Sequence, residues 1–177
     1  MAVISPFARL QDIDKRCREN ARGLPTDKKV EDNWIGIGFK LCGHRLVAKM
    51  SEINEILPPP DTIRVPGVLP WVKGLANVRG TLMPILDMKA YLTGDKLSSA
   101  VERRVLIINQ QEILAGLMVE EVYGLRRFRP EMRADETAPD MDNLKPYLDG
   151  SFQDDQTQWN VFSMQRLVEH EHFLKVV

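Results

Sequence analysis

Few side chains in this sequence have the type and spacing that chemistry requires. His170 and His172 flank Glu171, and a His-x-His pair can hold a metal ion. No third ligand follows nearby, so the pair is more typical of a solvent-exposed segment than of a metal site. Glu120 and Glu121 are adjacent carboxylates, but neighbouring side chains on a strand point to opposite faces. These two cannot act together as an acid–base pair.

Motifs for cofactors and nucleophiles are also missing. The sequence contains no G-x-S-x-G elbow, no Walker loop and no G-x-G-x-x-G. Cys17 and Cys42 lack CxxC spacing. Either one disulfide or two free thiols would fit this count, and a reducing compartment favours free thiols. We therefore expect no catalytic residues, no cofactor and no metal.

Charge and hydropathy exclude two further classes of protein. The 177 residues include 24 Lys plus Arg and 25 Asp plus Glu, a formal net charge of −1, whereas nucleic-acid binders usually carry a basic surplus. Residues 105–108 are among the longest apolar runs, and a transmembrane helix needs roughly 18 apolar residues. Residues 1–7 lack the basic head and the length of a secretory signal. We expect a cytoplasmic protein without nucleic-acid partners and without direct membrane insertion.

Charge is unevenly distributed along the second half of the chain. Four arginines crowd into one stretch, namely Arg126, Arg127, Arg129 and Arg133. Residues 135–155 then carry seven acidic residues against the single Lys145. A solvated loop is the simpler interpretation, and a docking surface whose charges steer a partner is the alternative.

Residues 1–32 are predicted to form an N-terminal helical extension and linker. Ser5 and Pro6 fit an N-cap followed by proline at the first helical position, and Gly23 fits a stop. Apolar residues at spacings of three or four form one stripe, comprising Phe7, Leu10, Ile13, Cys17 and Ala21. Such a helix packs either on its own domain or on a partner, and the first is the commoner arrangement.

Short strands are predicted from Trp34 onward, because apolar residues alternate with others over residues 35–41. Further strands are predicted at residues 46–48, 62–65, 75–78, 81–86, 104–109 and 113–122, with a hairpin over 147–162. Short helices are predicted from Ser51 to Leu57, at 88–93 and over about 163–175. Pro84 predicts an edge position or a bulge, since proline cannot donate to a ladder.

An internal repeat underlies this pattern. Residues 71–74 resemble 147–150, and residues 85–88 resemble 161–164 with the same offset. In both copies an N-cap residue, Asp87 or Ser163, begins a helix. Chance similarity between short apolar stretches is the alternative. The repeat favours two small β units, the first over about residues 33–98 and the second over about 99–162.

Residues 71–92, WVKGLANVRGTLMPILDMKAYL, resemble the signature of the CheW family of chemotaxis coupling proteins. The residues that carry the resemblance are Lys73, Gly74, Asn77, Arg79, Gly80, Pro84 and Asp87. The resemblance continues through residues 46–56 and 104–124 and covers about 34–175. Residues 34–39, residues 70–74 and the N-terminal helix resemble most the family member that serves type IV pili and twitching motility.

The resemblance implies a mainly β fold of two pseudo-symmetric, five-stranded SH3-like barrels. It also implies a non-enzymatic adaptor, recruited to membrane receptor arrays, that ties the cytoplasmic tip of a methyl-accepting chemoreceptor to the CheW-like regulatory domain of a CheA-type histidine kinase. The receptor-binding region would include Ile53, Glu55 and Arg79. Gly74, Asn77, Gly80, Pro84 and Asp87 would be structural residues of the motif.

Two of these residues also fit purely structural roles. Arg79 also fits an ordinary hairpin turn, and Glu55 also fits a solvated helix face. A coupling protein for flagellar chemotaxis, or a small-molecule binder using a cleft between the barrels, are the alternative functions.

Overall fold

The computed structural model describes residues 6–20, 33–97, 102–134, 142–154 and 157–174. The chain forms two compact units, Met1–Glu31 and Asp32–Val177. The first contains α1 (Pro6–Asn20), on which Phe7, Leu10 and Ile13 are exposed. The predicted cap Ser5, the stop Gly23 and the linker lie outside the described residues. No helix among the described residues is long and apolar enough to cross a membrane.

The second unit is mainly β, which confirms the predicted fold class. Its strands are β1 (Trp34–Leu41), β2 (His44–Lys49), β3 (Glu55–Leu57), β4 (Val72–Val78), β5 (Thr81–Asp87), β6 (Arg104–Gln110), β7 (Ile113–Val119), β8 (Glu121–Phe128), β9 (Arg133–Ala134), β10 (Leu148–Asp154) and β11 (Thr157–Phe162). Its short helices are α2 (Met88–Thr93), α3 (Met164–Glu169) and α4 (Glu171–Leu174), with 3-10 helices at Met50–Glu52, Pro130–Met132 and Lys145–Tyr147.

These strands form two sheets that exchange hairpins between the two halves of the chain. The six-stranded sheet has the order β8-β1-β2-β11-β10-β9, and the five-stranded sheet has the order β3-β6-β7-β5-β4. β11 pairs in parallel with β2, and β5 pairs in parallel with β7. The first hairpin of each half therefore joins the last hairpin of the other half. The predicted division at about residue 98 does not follow the sheets.

The internal repeat is visible in equivalent hydrogen bonds. The Asp87 N–H donates to the Trp71 carbonyl at 2.7 Å, and the Ser163 N–H donates to the Tyr147 carbonyl at 2.8 Å. The side chains of Asp87 and Ser163 then cap α2 and α3. The two halves thus fold alike, although each sheet contains strands from both.

Three apolar clusters fill the second unit. One lies between the sheets and includes Phe39, Leu46, Leu86, Leu117 and Phe162. The five-stranded sheet encloses a second cluster that includes Met83, Ile85 and Val105, and the six-stranded sheet encloses a third that includes Val47, Phe128 and Trp159. Neighbouring residues of one strand, such as Ile85 and Leu86, enter different clusters. Both faces of these strands are buried, which explains their nearly continuous apolar sequence.

Four local predictions were wrong. The predicted strand 113–122 divides at Glu120 into β7 and β8, which belong to different sheets. The predicted helix from Ser51 to Leu57 is a 3-10 helix at Met50–Glu52 followed by β3, because β3 pairs with β6 and tertiary pairing overrides a weak local preference. The predicted strand 62–65 is a single bridge between Ile63 and Leu75, in a segment flanked by prolines that cannot donate. The predicted C-terminal helix is interrupted at His170, whose backbone is extended.

Pro84 lies at a position of β5 where only one neighbouring strand, β4, is paired with it. It pairs with Leu75 of β4, and the ladder between β5 and β7 begins one residue later at Ile85. A residue without an N–H donor fits there, although β5 is an inner strand of the sheet.

The exchange predicts that the two halves cannot fold separately. A chain of residues 33–98 should show no cooperative unfolding in urea, because its hairpins lack β8 and β11 on one side and β6 and β7 on the other. A chain of residues 33–177 should unfold cooperatively, and mixing 33–98 with 99–177 should restore the transition. Cooperative unfolding of 33–98 alone would contradict the exchanged topology.

Asp87 supports the join between β5 and α2. Its carboxylate is fully buried and accepts the Ala90 N–H at 3.1 Å and the Leu97 N–H at 3.2 Å. The Lys73 ammonium lies 4.0 Å away. Buried N–H groups require acceptors, and the N–H groups at the start of a helix have no backbone acceptor within the helix. The Asp87 carboxylate therefore accepts hydrogen bonds from two N–H groups that would otherwise be unpaired.

We expect Asp87→Ala to lower the free energy of unfolding by about 3 kcal/mol, through the lost cap and two unsatisfied N–H groups. Ser163→Ala, the equivalent change in the second half, should cost only about 1 kcal/mol, because Ser163 caps through one N–H. Urea titrations of both variants measure the difference. Equal losses would show that the Leu97 contact is unimportant.

Candidate partner-binding site

The Asn-x-Arg-Gly motif forms the tight turn between β4 and β5. Val78 pairs with Thr81, and the two residues between them have positive φ, 52° at Arg79 and 86° at Gly80. This is the primed two-residue turn that matches the twist of a hairpin. The Asn77 Oδ1 accepts the Gly80 N–H at 2.8 Å and fixes the loop. Asn77 and Gly80 therefore shape the turn, whereas the Arg79 side chain projects from it.

Glu55 is positioned by β3 and by the 3-10 helix that precedes it. The Asn54 N–H donates to the Ile107 carbonyl at 2.8 Å, and Glu55 pairs with Ile107 in the sheet. Ile53 packs inward against the cluster between the sheets. These contacts fix the backbone on both sides of Asn54 and leave the Glu55 carboxylate at the sheet edge.

The 3-10 helix is itself anchored by Glu52. The Glu52 carbonyl accepts Nε2 of Gln110 at 3.3 Å, and its carboxylate Oε2 accepts the Met164 N–H at 3.0 Å. Burial raises the pKa of the Glu52 carboxyl above its ordinary value, outweighing the Met164 hydrogen bond, which lowers it. One half-buried carboxylate thus links the start of β3 to the start of α3.

Arg79 and Glu55 meet across the two edges of the five-stranded sheet. A guanidinium nitrogen of Arg79 lies 2.6 Å from Oε1 of Glu55, with 80% of the arginine side chain exposed and 28% of the glutamate. An exposed ion pair contributes under about 1 kcal/mol, and a side chain at positive φ costs about 1 kcal/mol. Arg79 therefore adds little to stability. The pair instead holds a cation and an anion at a fixed place on the surface.

Two exposed apolar side chains lie on the face of β4 and β5 that points away from the sheet's own cluster. Leu82 pairs with Asn77, and Ile63 pairs with Leu75, so both lie on the same face of the sheet. Leu82 is 61% exposed and Ile63 is 75% exposed. The sequence analysis missed both. The alternation around Met83 and Ile85, which point into the sheet's own cluster, is the signal that places Leu82 on the opposite face.

The structure brings together Glu55 and Arg79, two of the three residues predicted for receptor binding. Ile53, the third, is half-buried and packs inward. Gly74, with φ 146°, lies at a bulge where a Cβ atom would come within 2.3 Å of the Ile63 carbonyl oxygen, so only glycine fits. Among the described residues no group of three or more His, Cys, Asp or Glu could hold a metal ion, and the rings of His170 and His172 stack at 6.2 Å.

Two exchanged β sheets that display an exposed ion pair at a fixed place give this unit a candidate binding surface. Comparison with known proteins identifies the kind of protein. The CheW-like domain family matches residues 36–172, and the chain belongs to that family. Membership makes it a scaffold-type coupling protein and not an enzyme.

Individual relatives agree with this assignment. Protein PilI of Pseudomonas aeruginosa is 41% identical over 174 residues, which cover 98% of this chain and 97% of PilI. Chemotaxis protein CheW of Bacillus subtilis is 29% identical over 48% of this chain and 54% of its own length. The crystal structure of the scaffolding protein TtCheW from Thermoanaerobacter tengcongensis has the same fold, with a TM-score of 0.66, 17% identity, and coverage of 78% of this chain and 94% of that one.

The raised pKa of Glu52 predicts how this region responds to pH. A carboxyl whose pKa is higher in the folded than in the unfolded protein favours folding when protonated, so its contribution is present below the unfolded pKa and is lost as pH rises through the folded pKa. Glu52→Gln keeps an acceptor for the Met164 N–H and removes the ionisation.

The melting temperature of Glu52→Gln should therefore match that of the wild type at pH 4 and exceed it at pH 7.5. Thermal melts of both proteins at the two pH values test this. A lower melting temperature for the variant at pH 7.5 would show that the charged hydrogen bond outweighs the cost of burial.

Proposed function

We propose that this protein is an adaptor that couples a methyl-accepting chemoreceptor to a CheA-type histidine kinase in a chemosensory pathway controlling type IV pili and twitching motility. The 41% identity to PilI over nearly the whole of both chains supports the choice of this pathway over flagellar chemotaxis, since the matches to CheW proteins are weaker and shorter. Such an adaptor works in the cytoplasm and is recruited to membrane receptor arrays by its partners.

The exposed ion pair of Arg79 and Glu55 is the observation that carries this proposal. Arg79 provides a planar group with several donors on a rigid turn, so little side-chain and loop entropy is lost on binding. Leu82 and Ile63 add exposed apolar area on the outer face of the same sheet. The proposed receptor surface therefore includes a charged pair and apolar side chains, and Ile53 contributes to it by shaping the base of β3.

The kinase's CheW-like regulatory domain binds elsewhere on the molecule, because an adaptor holds both partners at once. The N-terminal extension, residues 1–32, lies outside the strand exchange in this proposal. The CheW-like domain proper is residues 33–177.

We expect Arg79→Ala and Glu55→Ala each to weaken binding of a receptor cytoplasmic fragment by about 1–3 kcal/mol, as for a hot spot. Their unfolding free energies should stay within about 0.5 kcal/mol of the wild type, because the pair is exposed. Kinase-fragment binding should be unchanged. Isothermal titration with each fragment, beside a melting curve, gives the three quantities.

Two controls make this test specific. Arg104→Ala breaks a comparable exposed ion pair with Glu102 and should leave receptor binding intact. The double variant Arg79→Glu with Glu55→Arg restores an ion pair with its charges exchanged. If that double variant recovered receptor binding, the pair would be structural and the proposed recognition role would be wrong.

The pathway itself is tested in the organism. Deletion of the gene should abolish twitching and leave swimming intact, and a copy carrying Arg79→Ala should fail to restore twitching. Loss of swimming with twitching retained would place the protein in the flagellar pathway instead.

A further inference from the structure

A second charged feature lies on the six-stranded sheet, far along the chain from the receptor surface. Two arginines and two aromatic rings form one continuous stack, in the order Arg45, Tyr123, Trp159 and Arg126. The Arg45 guanidinium carbon lies 5.8 Å from the centre of the Tyr123 ring, and that of Arg126 lies 5.1 Å from the Trp159 ring. The two rings meet edge to face at 5.6 Å. We call these four residues the arginine–aromatic stack.

The fold holds this stack in place from three strands. Arg126 pairs with Gly36 and Gly124 pairs with Gly38, so β1 presents glycine beneath the stack. A Cβ atom on Gly38 would lie 2.8 Å from the Trp159 ring and 3.2 Å from Cγ of Arg126. Trp159 itself is only 4% exposed. The glycines that alternate along β1 therefore make room for an indole and an arginine stem.

Neither arginine has a carboxylate partner within the described part of the chain. Arg45 donates to Oγ1 of Thr157 at 3.1 Å, and Nε of Arg126 is enclosed without a hydrogen-bond partner. Other arginines of this protein behave differently, since Arg79 pairs with Glu55 and Arg166 pairs with Asp149. A buried donor without an acceptor costs stability, so such a donor calls for an explanation.

We propose that the arginine–aromatic stack is a binding site for the side-chain carboxylates of an acidic protein partner. The planar fork of a guanidinium matches a carboxylate in a bidentate arrangement, and stacking on a ring fixes that plane before the partner arrives. The terminal guanidinium nitrogens of Arg45 and Arg126 supply the hydrogen bonds, since Nε of Arg126 is enclosed. This site is built on the six-stranded sheet, whereas Arg79 and Glu55 belong to the five-stranded one.

Chemistry favours a protein over other anionic partners. The aromatic rings lie beneath the arginines and not outside them, so no aromatic side chain is presented for insertion into a bilayer. A nucleic acid requires many cations along a groove, and the stack provides two. Two oriented guanidinium groups suit a few carboxylates at defined positions.

The proposal is tested with the full-length protein and a fluorescently labelled octaglutamate peptide, followed by anisotropy. Arg126→Gln and Arg45→Gln should each weaken binding about tenfold, because each removes a charge-assisted, pre-oriented donor group. Arg127→Gln is the matched control. It removes the same charge one residue along β8, on the opposite face, and should weaken binding about twofold through general charge alone.

Arg126→Lys should resemble Arg126→Gln more than the wild type, since lysine keeps the charge and loses the fork. Should Arg126→Gln melt early, Arg45→Gln decides the matter, because Arg45 is exposed and its loss leaves the packing intact. Equal losses in Arg45→Gln and Arg127→Gln would overturn the proposal and leave only nonspecific attraction.

One further outcome would also overturn it. Vesicles containing phosphatidylglycerol could bind more tightly than the peptide and lose binding in Arg126→Gln, which would make the site a lipid site.

Discussion

Everything in this structure depends on the parallel pairing of β5 with β7 and of β11 with β2. Each of these contacts joins a hairpin of one half of the chain to a hairpin of the other. Both faces of β2 and of β5 are buried: one face of each strand packs into the cluster enclosed by its own sheet, and the other packs into the cluster between the sheets. A half of the chain without the other half would therefore expose two apolar surfaces at once. The exchange therefore makes one cooperative body out of two similar repeats.

The exchange also creates the proposed receptor surface. It places β6 and β7 inside the five-stranded sheet and leaves β3 and β4 at its two edges, where Glu55 and Arg79 reach each other. Within four consecutive residues the motif divides its tasks, since Asn77 and Gly80 form the turn and Arg79 projects from it. A strained, exposed arginine that adds little stability is more readily explained by recognition than by folding.

Local signals in the sequence were sufficient to predict some elements of this fold. The turn at Arg79–Gly80, the helix caps at Asp87 and Ser163, and the repeat itself depend on a few adjacent residues, and each was predicted correctly. The short segment at Ser51–Leu57 was not, because its apolar spacing suits a helix and only pairing with β6 selects a strand. The exchange could not be predicted at all, since similarity between repeats shows which hairpins are equivalent and not which of them pair.

Contacts between distant parts of the chain also limited what could be predicted about the candidate sites. Glu55 and Arg79 could be named from a motif, yet their contact spans two sheet edges and exists only in the folded chain. The crowded arginines of residues 126–133 were visible as charge, but nothing in the sequence distinguished Arg126, stacked on a tryptophan from a distant hairpin, from its exposed neighbour Arg127. Burial and stacking are properties of the assembled sheet.

Duplication with divergence explains why the two surfaces differ. The edge strands β3 and β8 occupy equivalent places, since β3 pairs with β6, the first strand of the second half, and β8 pairs with β1, the first strand of the first half. Two identical edges would compete for the same partner. Here β3 carries Glu55 beside an arginine turn, whereas β8 carries Arg126 without a carboxylate partner among the described residues. Specificity is a difference in affinity, so unlike charges on equivalent edges would allow one pseudo-symmetric fold to keep the two proposed partners apart.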